Sequence, residues 1–559
     1  MLKSNRKIQK AWTFYDWANS VYPLVISSAI FPVFYAGYVD EKVLFFGFEF
    51  INTALITLLS ASYFLLLVII LPILTGIADS TGNKKAFMQF FCYLGSFCCV
   101  LLSFFDKNHL EISMLLFVMA GIGFWSSLVF YNAFLPEIAE EKDHDRLSAR
   151  GFSMGYIGSV ILLLICLALI FTAPEEFKPL YTRICFALTG VWWFGFSHVT
   201  FKQLPKGKKI NIKNITSIRK GTNELKKVWK YVVKTKRLKR FIYAFFVFSM
   251  AVQTIMLVAV YFGEKEVDWG DFNDELLDGT KIYSQKSVLR SGVSIFHLKP
   301  NGDEILLQSG KYETKSGVEI EVVENGTVSN VALRLENGNL LSCLKTQLSI
   351  GDKVHAKDSK GKKIMLEYGE YNTLNETMFS IDENGEIMSV DRKESSSSSN
   401  IGLLISILLI QLIAIPGAFL LSKLSDKKGN LFALRIVVFV WILLCFSAFL
   451  VYEPIHFYLI AGFVGLVMGG LQSLSRSTFS KFIPQDTKDT SSFFSFYDVA
   501  EKLGIVIGMT SYGFIEQVTG SMRNSIVALV VFFIVGLLLL FQVPKEEISI
   551  EKLWIKYST

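Results

Sequence analysis

Twelve stretches of this chain are each long and apolar enough to cross a bilayer, and they fall into two groups of six, with a polar insert between the seventh and the eighth. They lie near 12–38, 48–72, 86–105, 112–135, 151–172 and 182–202, then 239–262, 401–421, 431–451, 456–481, 493–516 and 524–543. A helix needs roughly 20 mostly apolar residues to span the hydrocarbon core. Few soluble folds bury so much Phe, Leu, Ile and Val: the chain is 52% hydrophobic and holds 49 Phe in 559 residues. The expected fold class is an all-α polytopic membrane protein with twelve transmembrane helices in two six-helix halves.

Basic residues in short loops set the direction of insertion. Lys3, Arg6, Lys7 and Lys10 precede span one, Lys84 and Lys85 follow span two, and Lys423, Lys427 and Lys428 follow span eight. Residues 202–240 hold 15 Lys or Arg against one acid, Glu224. All of these share one side if both termini are cytoplasmic, and twelve spans close that parity. The chain then divides into an N-terminal half (1–202), a basic cytoplasmic linker (203–238), span seven (239–262), the insert (263–400), and spans eight to twelve with a cytoplasmic tail (401–559). The expected location is a bacterial cytoplasmic membrane. The first apolar run follows a basic tail as a signal peptide would, but its length and the interruptions at Asp16 and Pro23 make it an uncleaved span. Seven scattered cysteines show no zinc-type or redox spacing.

Residues 263–400 carry 24 acidic and 16 basic side chains, a net charge of −8, which leaves +15 on the rest. Asn-Gly recurs at 301–302, 325–326, 337–338 and 384–385. The first three pairs adjoin alternating segments such as Val318–Val323, and Asn-Gly accepts the positive φ angles of a hairpin turn. A small antiparallel β domain is expected, outside the cytoplasm because it joins spans seven and eight. Ser395–Ser399 reads as a polar tether before span eight. The insert serves either as a solubilising cap or as a docking surface for an envelope protein partner.

The two halves match internally. Asp79-Ser80-Thr81-Gly82-Asn83 follows span two, and Asp426-Lys427-Lys428-Gly429-Asn430 follows span eight. Pro136 comes 57 residues after Asp79, and Pro484 comes 58 after Asp426. Matched six-span halves indicate a parallel repeat with a substrate site between the halves near the midplane. The Asp79-x-x-Gly82-x-Lys84-Lys85 loop resembles the signature of the major facilitator superfamily, although Thr75 stands where that signature carries Gly. Three further segments narrow the likeness: Tyr15-Asp16-Trp17-Ala18-Asn19-Ser20; Tyr131–Pro136 with Gly151–Tyr156; and Gly470–Ser477 with Phe493–Asp498. Together they resemble the vacuole-effluxer branch, which includes fungal vacuolar amino-acid effluxers and bacterial members of unassigned substrate. The likeness covers the twelve spans and none of the insert. It implies alternating access, with Asp79 bracing the start of span eleven and, by symmetry, Asp426 against span five. Gly82, Lys85 and Gly429 complete these gating motifs; a plain solvated turn is the alternative.

Ionisable groups inside a span are costly and mark functional sites by default. Asp16 on span one, Arg476 on span ten, and Asp498, Glu501 and Lys502 at the start of span eleven gather near the cytoplasmic end, so Arg476 is expected to pair with Asp16, Asp498 or Glu501 in a closed gate. Position at headgroup depth, where charge costs little, is the alternative. Asn19, Tyr22, Trp125, Ser126, Asn132, Gln253 and Gln472, with Arg476, are the substrate-cavity candidates, and an uncharged, partly aromatic cavity suits a neutral or zwitterionic solute. Helix packing is the alternative role for each. Asp498 and Lys502 are read as gating groups, and Asp16 and Glu501 as proton-coupling candidates.

No Walker-type loop is present, so ATP drive is unexpected, and neither a cofactor nor a metal is called for. The basic 6–7 loop reads as a lipid-facing linker with amphipathic helical parts rather than a nucleic-acid site. The expected partners are a small-molecule substrate and membrane lipids. The leading function is a secondary-active or facilitative exporter of a small zwitterionic solute such as an amino acid, and not an enzyme. The rivals are a lipid or amphiphile translocator and an envelope interaction protein that acts through the insert.

Overall fold

Spans one to six of the computed structural model are long helices that, with span seven, precede the insert. Span one runs through Arg6–Asn19, a π-helical stretch at Tyr22–Ala29 and Ile30–Tyr38. The next five are Asn52–Thr81, Lys84–Leu101, Leu110–Asn132, His144–Thr172 and Lys178–Gln203. Spans seven to twelve are Lys236–Glu266, Ser397–Lys428, Asn430–Ala448, Pro454–Phe482, Thr490–Thr519 and Met522–Phe541. The described residues are 5–545 except 41, 206–215, 268–271, 393–396, 485–486 and 520–521, and within the insert 285, 287, 300–303, 344, 347, 349–351, 359–361, 365, 376 and 383–384.

Among the described residues, eleven of these helices are long and apolar enough to cross a membrane. Span eleven is the other one. It is 30 residues long, but Asp498, Glu501 and Lys502 in its middle lower its apolarity without shortening it.

Several helices overrun their apolar stretches at the basic end, the end of the bundle that carries the 2–3 and 8–9 loops. Span two continues to Thr81, span five starts at His144, span eight continues to Lys428, and span eleven starts at Thr490. Hydropathy stops where charge begins, whereas the backbone helix needs only its own hydrogen bonds and a cap. At the other end, residues 48–51 belong to a hairpin, Lys42–Phe45 with Phe48–Ile51, so span two begins later than expected. Ser397–Ser399 form the first residues of the span-eight helix rather than a tether; Ser395 and Ser396 lie outside the described residues.

Within each half the helices pack around shared apolar cores. Span one packs on five and six, three on four, seven on eleven and twelve, and eight on ten. Between the halves, span two packs on eleven, and span five packs on eight and ten. The linker forms an amphipathic helix, Thr216–Lys234, which lies along span two. Its buried face presents Val228, Tyr231 and Val232, and Lys227 reaches Asp489 at 3.1 Å.

The insert folds as antiparallel meanders. Six strands run in sequence order from Gly310–Glu313 to Lys363–Ile364, flanked by four strands over residues 272–306 and three over 369–392. Val318, Ile320 and Val322 alternate inward with Glu319 and Glu321, the period-2 pattern of a half-buried strand, and join an apolar core separate from that of the bundle.

Hairpins form at Asn325-Gly326 and Asn337-Gly338. Asn301-Gly302 and Asn384 lie outside the described residues. A turn recurs that the Asn-Gly count only partly revealed. The N–H groups of Leu276, Thr314, Val323, Leu335, Thr373 and Asp382 each donate to the carbonyl four residues later. In five of the six a glycine with φ between +71° and +90° precedes the acceptor. The insert sits against the bundle through Lys286 to Glu453 at 2.7 Å and the Arg290 guanidinium over Tyr452.

Candidate functional site

Polar groups join the two halves in three layers, counted inward from the basic end. The outermost layer holds two clamps. In one, Asp79 at the end of span two accepts hydrogen bonds from the N–H groups of Ser491 (3.2 Å) and Ser492 (2.6 Å), in the first turn of span eleven. A helix N-terminus leaves these donors free and carries partial positive charge, so a carboxylate suits both needs. Lys84 pairs with Glu137 and donates to the Thr490 hydroxyl at 2.5 Å, which closes the clamp across span eleven. In the other clamp, Asp145 at the start of span five takes bonds from Ser425 Oγ (2.8 Å), Asn430 Nδ2 (2.7 Å) and Lys481 Nζ (2.6 Å).

The second layer centres on Arg476, which is 2% exposed. Its guanidinium meets Asp16 at 3.4 Å, donates to Ser148 Oγ (2.9 Å), the Ser148 carbonyl (3.0 Å) and Asn132 Oδ1 (3.2 Å), and lies over the rings of Trp12, Tyr131 and Phe152. Burial of a guanidinium demands this combination of countercharge, acceptors and π faces. The Tyr131 hydroxyl donates to Asp16 at 2.7 Å. Gly151 makes the room: a Cβ there would collide with the Asp16 carboxylate. One turn further along span ten, Gln472 Oε1 accepts from the Tyr156 hydroxyl at 3.0 Å.

The innermost layer is the group on span eleven. Lys502 Nζ lies 2.5 Å from Asp498 Oδ1 and 3.0 Å from Glu501 Oε2, and sits 3.8 Å from the Trp125 ring centroid on span four. Gln253 of span seven donates to Glu501 Oε1 at 2.8 Å. Hydrogen bonds and ion pairs between the six-helix halves gather at the basic end and in the layers just inside it.

Several expectations change. Arg476 pairs with Asp16, not with Asp498 or Glu501. Those two and Lys502 lie two to three turns inside a helix that starts at Thr490, in a layer of their own, with side chains 5%, 17% and 0% exposed. The centre of the bundle therefore carries charged groups beside the uncharged candidates. Asp426 is exposed, and the contacts assigned to it by symmetry come from Ser425 and Asn430. Lys85 donates to the Leu204 carbonyl, and the clamp lysine is Lys84. Gly82 and Gly429 take positive φ in their turns.

Tyr22 points into its own half, stacked on Phe124 and near Trp193. Asn19 Nδ2, the Tyr22 hydroxyl, Trp125 Nε1 and Ser126 Oγ are shut off from solvent without a hydrogen-bond partner. Asp145, Lys481 and Glu137 were not among the expected site residues, and Lys84 and Tyr131 were named only as parts of motifs. Asp145 was detectable as a charge beside the apolar stretch of span five, had that helix been extended by two turns, and Lys481 closes the stretch expected for span ten.

Two six-helix halves clamped across a central polar layer define a transporter of the major facilitator class. Solved structures of that class superpose over nearly the whole chain. The E. coli transporter FucP in its outward conformation gives a TM-score of 0.55 at 12% identity, covering 97% of this chain and 99% of that one. The human organic anion transporter MFSD10 gives 0.56 at 8% identity, covering 96% and 99%. The chain belongs to the vacuole effluxer Atg22-like family, whose model matches residues 4–285 and 387–552. It is 24% identical over 554 residues to the uncharacterised MFS-type transporter YxiO of Bacillus subtilis (strain 168), covering 98% of this chain and 97% of YxiO. It is 27% identical over 163 residues to autophagy-related protein 22 of Vanderwaltozyma polyspora, covering 27% of this chain and 30% of that protein. The protein is an integral, multi-pass membrane transporter and not an enzyme.

Proposed function

We propose that this transporter works by alternating access and exports a small neutral or zwitterionic solute such as an amino acid. The basic end faces the cytoplasm, the insert lies outside, and the conformation described is closed on the cytoplasmic side. The observation that carries the solute class is the set of polar atoms on spans one and four. Asn19, Trp125 and Ser126 each hold a buried polar atom with no protein partner, and such groups can hydrogen-bond a solute. Beside them Lys502 is neutralised by Asp498 and Glu501, so the centre offers charge of both signs at close range, as a zwitterion requires. A polyanion would meet two carboxylates there.

The test is efflux from proteoliposomes loaded in turn with neutral amino acids, nucleosides and soluble lipid headgroups. Faster release of at least one amino acid than from protein-free vesicles, slowed by Arg476→Ala, is the expected result. A cooperatively melting sample that releases nothing overturns the reading.

A further inference from the structure

On the reading of this chain as a solute transporter, we propose that Asp498 is the group that takes up a proton and so couples transport to a proton gradient. Asp498, Glu501 and Lys502 occupy one turn near the middle of span eleven. An ammonium has three donors, and those of Lys502 are spent on Asp498 Oδ1, on Glu501 Oε2 and against the π face of Trp125. Glu501 has both oxygens engaged, the second by Gln253. Asp16 accepts from Tyr131 and Arg476. Asp498 Oδ2 differs from all of these. Among the described residues it is the one carboxylate oxygen shut off from solvent with no donor on it.

Two carboxylates against one ammonium leave the group one negative charge in excess. From the packed neighbours it is faced by Trp125 of span four and Gln253 of span seven, both neutral. Tyr63 of span two stands beside Trp125, and the positive charge of Arg476 on span ten is already taken by Asp16. Among the described residues around this group no further cation balances the excess, and an unpartnered carboxylate oxygen in a dry interior is expensive. One proton from the bulk removes both faults. It enters past Glu501, whose side chain is 17% exposed, and forms an O–H bond at Asp498 Oδ2. The group becomes neutral, and Lys502 keeps Glu501 as its counterion while its hold on Asp498 weakens. Because Lys502 lies on Trp125 of the other half, that change is felt between the halves.

The experiment uses the full chain in lipid nanodiscs, with protons and sodium chloride as the only probes. The readout is the Trp125 contribution to fluorescence, obtained by subtracting Trp125→Phe protein, titrated from about pH 5 to 9, the range open to a perturbed carboxylate. A single titration step is expected in the native chain, abolished in Asp498→Asn and retained in Asp16→Asn and Glu501→Gln. Asp498→Glu, which preserves a carboxyl, retains a step with a displaced midpoint and guards against a misfolded amide variant. A step that survives Asp498→Asn overturns the proposal, as does the absence of any step. So does sodium chloride producing the same change at fixed pH. No solute is involved, so a failure here leaves the transporter reading standing. A step here together with absent flux strikes only at that reading.

Discussion

The two loops that carry Asp-x-x-Gly-Asn look alike in sequence and do different work. After span two, the carboxylate of Asp79 reaches across the halves to the free N–H groups that open span eleven. After span eight, Asp426 is exposed, and the loop instead offers Ser425 and Asn430 as donors to a carboxylate, Asp145, that belongs to span five. One clamp joins a carboxylate to a helix terminus, with Lys84 held between Asp79 and Glu137 beside it; the other joins side chain to side chain around an ion pair with Lys481. A duplicated motif thus conserves the place of contact between the halves without conserving its chemistry. The Asp145 clamp is the more brittle, because loss of Asp145 takes the one carboxylate from Lys481, whereas loss of Asp79 leaves Lys84 paired with Glu137.

That contrast orders the predictions. Asp145→Ala should have the largest effect, because it strands Lys481 and removes the acceptor for two further donors. We expect about 3 kcal/mol lost from the state closed at the basic end, read by disulfide trapping between cysteines placed on spans five and eight. Gly429→Ala comes next: φ +86° with ψ 152° is glycine territory, and the strain should cost about 1–3 kcal/mol, seen as a lower unfolding temperature. Asp79→Asn keeps the shape and one acceptor but loses the charge at the helix terminus. A cost of about 1 kcal/mol is expected, read by trapping between spans two and eleven. Asp426→Ala should stay within about 0.5 kcal/mol in either assay. An Asp426→Ala effect as large as that of Asp79→Asn would erase the distinction between the clamps.

The insert and the bundle differ in how much of each was legible. Twelve apolar stretches, the polar insert and the hairpins at Asn325-Gly326 and Asn337-Gly338 follow from local patterns, because hydropathy and positive φ are written residue by residue. The helix ends were not legible in this way. His144, Asp145 and Thr490 lie where charge dilutes the apolar signal while the helix goes on, and Asp145 and Thr490 are parts of the clamps. Arg476, Asp16 and Asn132 were recognisable singly as costly polar groups in spans, and Trp125 and Gln253 as cavity candidates. That Arg476 would choose Asp16, and Lys502 the two carboxylates of its own helix, depends on how far span eleven extends.

Composition and period alone therefore determined a membrane protein of two six-helix halves with a β insert, because the bilayer leaves an apolar segment of that length few alternatives. Only the tertiary structure decided which charges neutralise one another. Between the halves, pairing depends on distances of 2.6–3.5 Å between helices hundreds of residues apart in sequence, and such distances are set by helix length and packing rather than by any spacing along the chain.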